Sequence, residues 1–253
     1  MIAQAVHDDA HPVALRADLA SWRRAELEAM RAAGEDVLEC YRVLKRTKDN
    51  VVGEVLRHYG TFYEWKHYPP GDTHDNVSHA QYFYHAHKKG ARVGEHGHFH
   101  TFLRAKGMPK GMAPVPYDGA VEWPKGDAAL CHLIGVSMDR LGYPTALFTT
   151  NRWVTGECWF RAEHVCAALG RFKIDLARPS WPANRWITAM VALFRPVIEE
   201  LVRERDVAFA RWRAQHPERD AFEDRELEVL SRRQISVEEQ IAAVRAALDR
   251  ASG

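Results

Sequence analysis

HAQYFYHAHKKGARVGEHGHFHTFL, residues 79–103, decides how this 253-residue chain is read. HAQYFYHAH (79–87) and HGHFHTFL (96–103) are aromatic runs bounded by turn-forming residues, the pattern of extended strands. KKGARVGE (88–95) joins them as antiparallel neighbours. Alternate residues of a strand share a face. His85 and His87 therefore point one way on the first strand, and His96, His98 and His100 point one way on the second. A symmetric closure sets His87 opposite His96 and His85 opposite His98, with opposed Cβ atoms ~4.5–5.5 Å apart. A slip of one residue would send the two rows to opposite faces.

The chain holds 14 histidines, about twice the usual share for its length, and His79, His85, His87, His96, His98 and His100 crowd into this one stretch. A single strand histidine usually packs and hydrogen-bonds. A row of them on one face loses solvation and shares charge, which destabilises the sheet unless a cation joins them. The pattern therefore predicts a transition-metal site with imidazole ligands at about 2.0–2.1 Å. His85, His87, His96 and His98 form its geometric core, and His100 lies one rung further, opposite Phe83. His132, on the alternating row Leu130, His132, Ile134, Val136, Met138, is either a third-strand ligand or a satisfied core histidine. His79 is placed to support ligands rather than bind, and Glu95 reads as a solvated turn residue more readily than as a ligand. These candidates outnumber the ligands of one catalytic ion, so some orient others or a second ion binds. Imidazole ligation suits zinc, copper, iron or nickel, and the expected ion is iron, zinc or copper.

Working outward, the chain divides into three zones of one α+β domain spanning 1–253. Residues 1–60 read as helical: Pro12 near a first turn, Leu15, Leu19, Trp22 and Met30 at helical spacing, a stop at Gly34, then amphipathic segments around Val37–Leu44 and Val51–Leu56. Residues 61–159 are the β-rich core, with further strands at TFYEWKHY (61–68), LCHLIGVSM (130–138) and TALFTT (145–150), the last two joined by the turn DRLGYP (139–144). The Pro/Gly-rich 105–128 is long enough to be a lid, a binding loop or a misread boundary. Residues 160–253 read as helical again, with a short helix over Phe160–Leu169, a long one carrying Trp186 to Leu201, and a last one opened by the Ser236/Glu239 capping box. The expected fold is a mainly antiparallel sheet flanked by N- and C-terminal helices, with a cupin-like barrel as the alternative.

Thirty-five basic against 34 acidic residues, a net charge of +1, give no field to gather nucleic acid or an anionic membrane. Asp8 and Asp9 stand where a signal peptide would be basic and then apolar, and no run reaches the ~18 apolar residues of a span. The expected compartment is the cytoplasm. Cys40, Cys131, Cys158 and Cys166 form no C-x-x-C pair and read as buried small hydrophobes. The charged C-terminal helices offer a solvated arm or a contact between copies of the chain.

SHAQYFYHAH (78–87), EHGHFHTFL (95–103) and FTTNRWVTGE (148–157) together resemble an uncharacterised family of bacterial proteins, a domain of unknown function. The resemblance implies no activity and no catalytic residues. The pattern is also superficially similar to a cupin, with His85 and His87 as the H-x-H pair, although Glu95 follows at a longer spacing than that motif uses. From the residues alone the expectation is a non-haem metalloenzyme acting on a small molecule, with oxidoreductase chemistry favoured because Tyr82, Tyr84, Phe99 and Phe102 shield the site. The alternatives are a non-catalytic metal-binding or sensing protein and a zinc-dependent hydrolase or lyase. Arg104, Tyr84 and Arg152 are the candidate substrate contacts, Arg104 because it continues the alternating row His96, His98, His100, Phe102.

Overall fold

The computed structural model describes residues 17–87 and 94–251. The readings placed on Asp8, Asp9, Pro12 and Leu15, and on most of the 88–95 connection, lie outside the described residues. Six strands form one antiparallel sheet: β1 (Tyr68–His74), β2 (Ala80–His85), β3 (Gly97–Arg104), β4 (Leu130–Met138), β5 (Pro144–Thr150) and β6 (Val229–Gln234). They neighbour one another in sequence order, β1 to β6. This meander differs from the cupin-like barrel weighed above: within the described residues β1 and β6 are its two edges.

Helices pack on one side of the sheet. They are α1 (Arg24–Arg46), α2 (Val51–Leu56), α3 (Arg152–Thr155), α4 (Ala162–Ala168), α5 (Trp181–Leu193), α6 (Arg195–Gln215) and α7 (Val237–Arg250). The apolar faces of all but α3 meet Tyr82, Tyr84, Phe99, Leu103, Val136 and Leu147 in the main core. The described helices include none long and apolar enough to cross a membrane. The four cysteines are buried and free.

Four local expectations are revised. Gly34 does not stop α1, which runs on to Arg46. A Cβ at Gly34 would lie 2.8 Å from Ile241 Cγ1 of α7, so this glycine lets two helices cross closely. The long helix expected around Trp186–Leu201 is two, broken at Phe194, with Pro196 in the first turn of the second. The zone after residue 160 is not wholly helical, because VLSRRQ (229–234) forms edge strand β6. The strand expected at 61–68 begins only at Tyr68 and continues through YPPGDTH, whose prolines an edge strand tolerates.

The 105–128 segment is anchored on the helix side. Tyr117 stacks on Trp123 with ring centroids 4.4 Å apart, both rings meet Phe222 edge-on, and Val115 N–H donates to Trp159 O at 2.8 Å. Met108 joins the same core.

Candidate metal centre

The ladder between β2 and β3 pairs His85 with His98 and Phe83 with His100, the register expected from the histidine spacing. One rung runs His85–His98–Ser137–Ala146, and the next runs Phe83–His100–Gly135–Phe148–Arg232. These residues share the sheet face turned away from the main core. Gly135 matters here: a Cβ would lie 2.4 Å from Phe148 Cζ, so its absence lets the Phe148 ring lie across β4. That ring meets His98 and His100 at centroid distances of 5.2 and 5.7 Å.

His85, His98 and His100 each offer one ligand nitrogen, and these atoms lie within 4.8 Å of one another. His85 Nε2 and His98 Nε2 are 2.6 Å apart. Ligands held tetrahedrally at ~2.0–2.1 Å would sit about 3.3 Å apart, so small ring movements suffice to admit an ion. His98 and His100 are almost wholly buried, and His85 is half-buried at the open end. The triad can hold a metal ion.

Two hydrogen bonds orient the rings. Glu95 Oε1 accepts from His98 Nδ1 at 2.8 Å, with the Glu95 side chain only 4% exposed. Glu95 is thus no solvated turn residue. Arg232 of β6 approaches the same carboxylate at 3.9 Å. His100 Nδ1 lies 3.0 Å from His132 Nε2. Burial, with Arg205 and His98 adding to it, pushes His132 down to about 3, so it is neutral and its Nε2 can accept the His100 proton. The carboxylate contact leaves Nε2 of His98 as a lone-pair donor, and donation from His100 Nδ1 to His132 would do the same for His100, the arrangement in which a partner on one ring nitrogen fixes the other for metal.

His132 reaches this face through a bulge. β3 and β4 pair Thr101 with Ile134 but Phe102 with His132, so Leu133 is the extra residue and the alternation changes sides. Leu133 and Ile134 both point into the main core, whereas His132 turns to His100. Its backbone N–H donates to Glu157 Oε2 at 2.7 Å. Glu157 is fully buried, and desolvation raises its carboxyl to about 7 against the pull of Arg205.

The other sequence candidates are distributed differently. His87 is half-buried beside the triad, its ring 5.2 Å from that of His85 and 5.1 Å from that of His98, with Trp65 edge-on at 4.4 Å. His96 is not brought to the triad. β3 starts at Gly97, so strand alternation does not extend to His96. Its ring stacks on Phe62, and its Nδ1 lies 2.6 Å from Tyr84 Oη. Tyr84 points into the helix-side core, away from the triad, where burial raises its phenol. Arg104 is occupied at the far end of β3, donating through Nε to Gln81 Oε1 at 3.0 Å and His74 Nδ1 at 3.1 Å, and through Nη1 to Asp127 O. Arg152 is buried under Trp123, donating to Glu157 O and pairing with Glu223. His79 sits just before β2, at the opposite end from the triad.

A family model described as a domain of unknown function (DUF6969) matches residues 31–235. Neither a curated protein nor a solved structure matches the chain.

Proposed function

From a chain that belongs to this family, the domain of unknown function DUF6969, we propose a metalloenzyme that uses His85, His98 and His100 to hold one transition-metal ion and acts on a small molecule. The observation that carries the reading is the pairing of converging imidazoles with Nδ1 partners: Glu95 on His98 and His132 on His100. Crowded histidines that merely pack have no need of a buried carboxylate that turns a lone pair inward. Three protein ligands leave a coordination position for substrate or water, as catalytic sites do and closed structural sites do not. The ion would supply Lewis acidity or one-electron chemistry. Buried Phe83, Phe102 and Phe148 around the triad favour redox chemistry over hydrolysis, because a hydrolytic centre needs ready entry of water. A second reading, metal holding without turnover, draws on His87, whose ring lies close enough to complete a four-nitrogen shell.

The test is elemental analysis of protein purified without a histidine tag and without added metal. One equivalent of iron, copper or zinc per chain is expected, with iron or copper supporting the redox assignment. Protein that stays below a tenth of an equivalent, even after incubation with Zn(II) or Co(II), would overturn the reading.

A further inference from the structure

β3 pairs with β4 along its whole length, from Leu130 to Met138, but β5 pairs with it only from Gly135 to Met138. After the Gly135–Phe148 rung the next residues of β5, Thr149 and Thr150, pair with β6, and the chain then turns into α3. The half of β4 that carries His132 and the bulge is therefore left without a strand on that side. The segment after α3 takes the place. Cys158 N–H donates to Leu130 O at 2.8 Å, and Glu157 Oε2 accepts the His132 N–H at 2.7 Å. One side chain thus does what a neighbouring strand would do, giving a partner to a backbone donor in the interior.

The sequence NRWVTGE (151–157) is built to present that carboxylate. Asn151 caps α3 through its side-chain oxygen, and its Nδ2 donates to Ala221 O at 2.8 Å. Gly156 ends α3 in left-handed backbone, with φ of 67°, and turns the chain back to β4. Arg152 Nε donates to Glu157 O at 2.9 Å, while its guanidinium pairs with Glu223. A lone N–H could be satisfied by a neutral side chain, whereas burying a carboxyl group costs solvation. The N–H it serves lies where the alternation of β4 breaks. A ladder with one extra residue can place that residue at more than one rung, and each placement sends different side chains to each face. An acceptor fixed on the His132 N–H decides the placement. Leu133 becomes the extra residue, and the His132 ring goes to the metal-side face, with Nε2 3.0 Å from His100 Nδ1.

We propose that Glu157 is a positioning residue for the metal centre: by accepting the His132 N–H it pins the bulge, keeps His132 Nε2 on His100 Nδ1, and so keeps His100 Nε2 turned to the ion. This rests on the metal reading above. Glu157 touches neither the ion nor its ligands, and it acts through the backbone of His132.

Titration of the full chain with Co(II), followed by its visible absorption, separates this role from a purely structural one. Glu157→Leu should weaken Co(II) binding about tenfold, the lower end of what partners of metal ligands are worth, and alter the visible spectrum of the bound ion. Glu157→Gln, which keeps an acceptor oxygen, should stay within about twofold of wild type with an unchanged spectrum. His132→Phe should cost about as much as Glu157→Leu, and the two together little more than either alone. Wild-type affinity and spectrum in Glu157→Leu, even with a lowered melting temperature, would leave Glu157 a purely structural residue. Equal weakening by Leu and Gln would assign the effect to charge, and additive losses in the double variant would show that Glu157 does not act through His132. Each of these outcomes overturns the proposal while leaving the metal centre standing. Wild-type protein that takes up no Co(II) would overturn the metal centre, and this proposal with it. Should Glu157→Leu not fold, Glu157→Asp, one methylene short of the His132 N–H, carries the same expectations.

Discussion

On β2 and β3, alternate positions go to different neighbours. Tyr82, Tyr84, Phe99 and Leu103 face the helices, where Phe99 meets Trp186 at 5.6 Å and the Tyr82 hydroxyl donates to Asn184 Oδ1 at 2.7 Å. Phe83, His85, His98 and His100 face the other way, into a setting where imidazole, carboxylate and phenyl groups alternate. The first set belongs to a close-packed core in which the Tyr82 and Tyr84 hydroxyls have partners. The second keeps polar atoms buried and directs them toward one point. A single two-residue period therefore separates stability from chemistry, and substitutions one position apart should have unlike consequences.

The largest expected effect is on metal. His85→Ala with His98→Ala removes two of the three ligand nitrogens and should take bound metal from one equivalent to none, measured by elemental analysis. The far-ultraviolet circular dichroism of the helices should be unchanged. Undiminished metal in this variant would reject the ligand assignment, and loss of helix would break the separation between the faces. Next in size is Phe99→Ala, adjacent to His98 but on the other face and fully buried. Emptying so large a core position costs about 3–5 kcal/mol, read by urea unfolding. Metal loss in Phe99→Ala should appear only with unfolding. A variant that kept full stability but lost metal would show that the two faces are not independent.

What could be read from the sequence follows the same division. The alternation in HAQYFYHAH and HGHFHTFL is strict, so the His85–His98 register and the place of His100 are legible in the sequence alone. Features that depend on broken alternation are not. His132 sits on the alternate-residue row Leu130, His132, Ile134, Val136, Met138 in the sequence, yet the bulge at Leu133 turns it to the other face. His96 has the right parity, but its strand begins one residue too late. β6 was hidden because VLSRRQ carries two arginines and no apolar alternation, features of an edge strand that protects itself with charge. Glu95 is not legible because a glutamate after glycine looks solvated until the fold buries it.

The smallest effect concerns the point where β4 changes sides. Glu157 accepts the His132 backbone N–H at the bulge and is fully buried, with its carboxyl raised from the ordinary 4.5 to about 7. A raised carboxyl favours the protonated folded state. The folded chain therefore suffers no penalty from Glu157 below about pH 4.5, an increasing one as pH rises toward 7, and a constant one above that. The upper limit is roughly 3 kcal/mol. Glu157→Gln retains an oxygen to accept the His132 N–H but never ionises. It should match wild type near pH 4.5 and exceed it by up to ~3 kcal/mol at pH 8, with bound metal unchanged, as measured by urea unfolding at the two pH values. A stability difference that does not vary with pH would mean that Glu157 carries no buried charge. Falling metal content would mean that the bulge depends on the carboxylate itself, and that the two faces are coupled through Glu157.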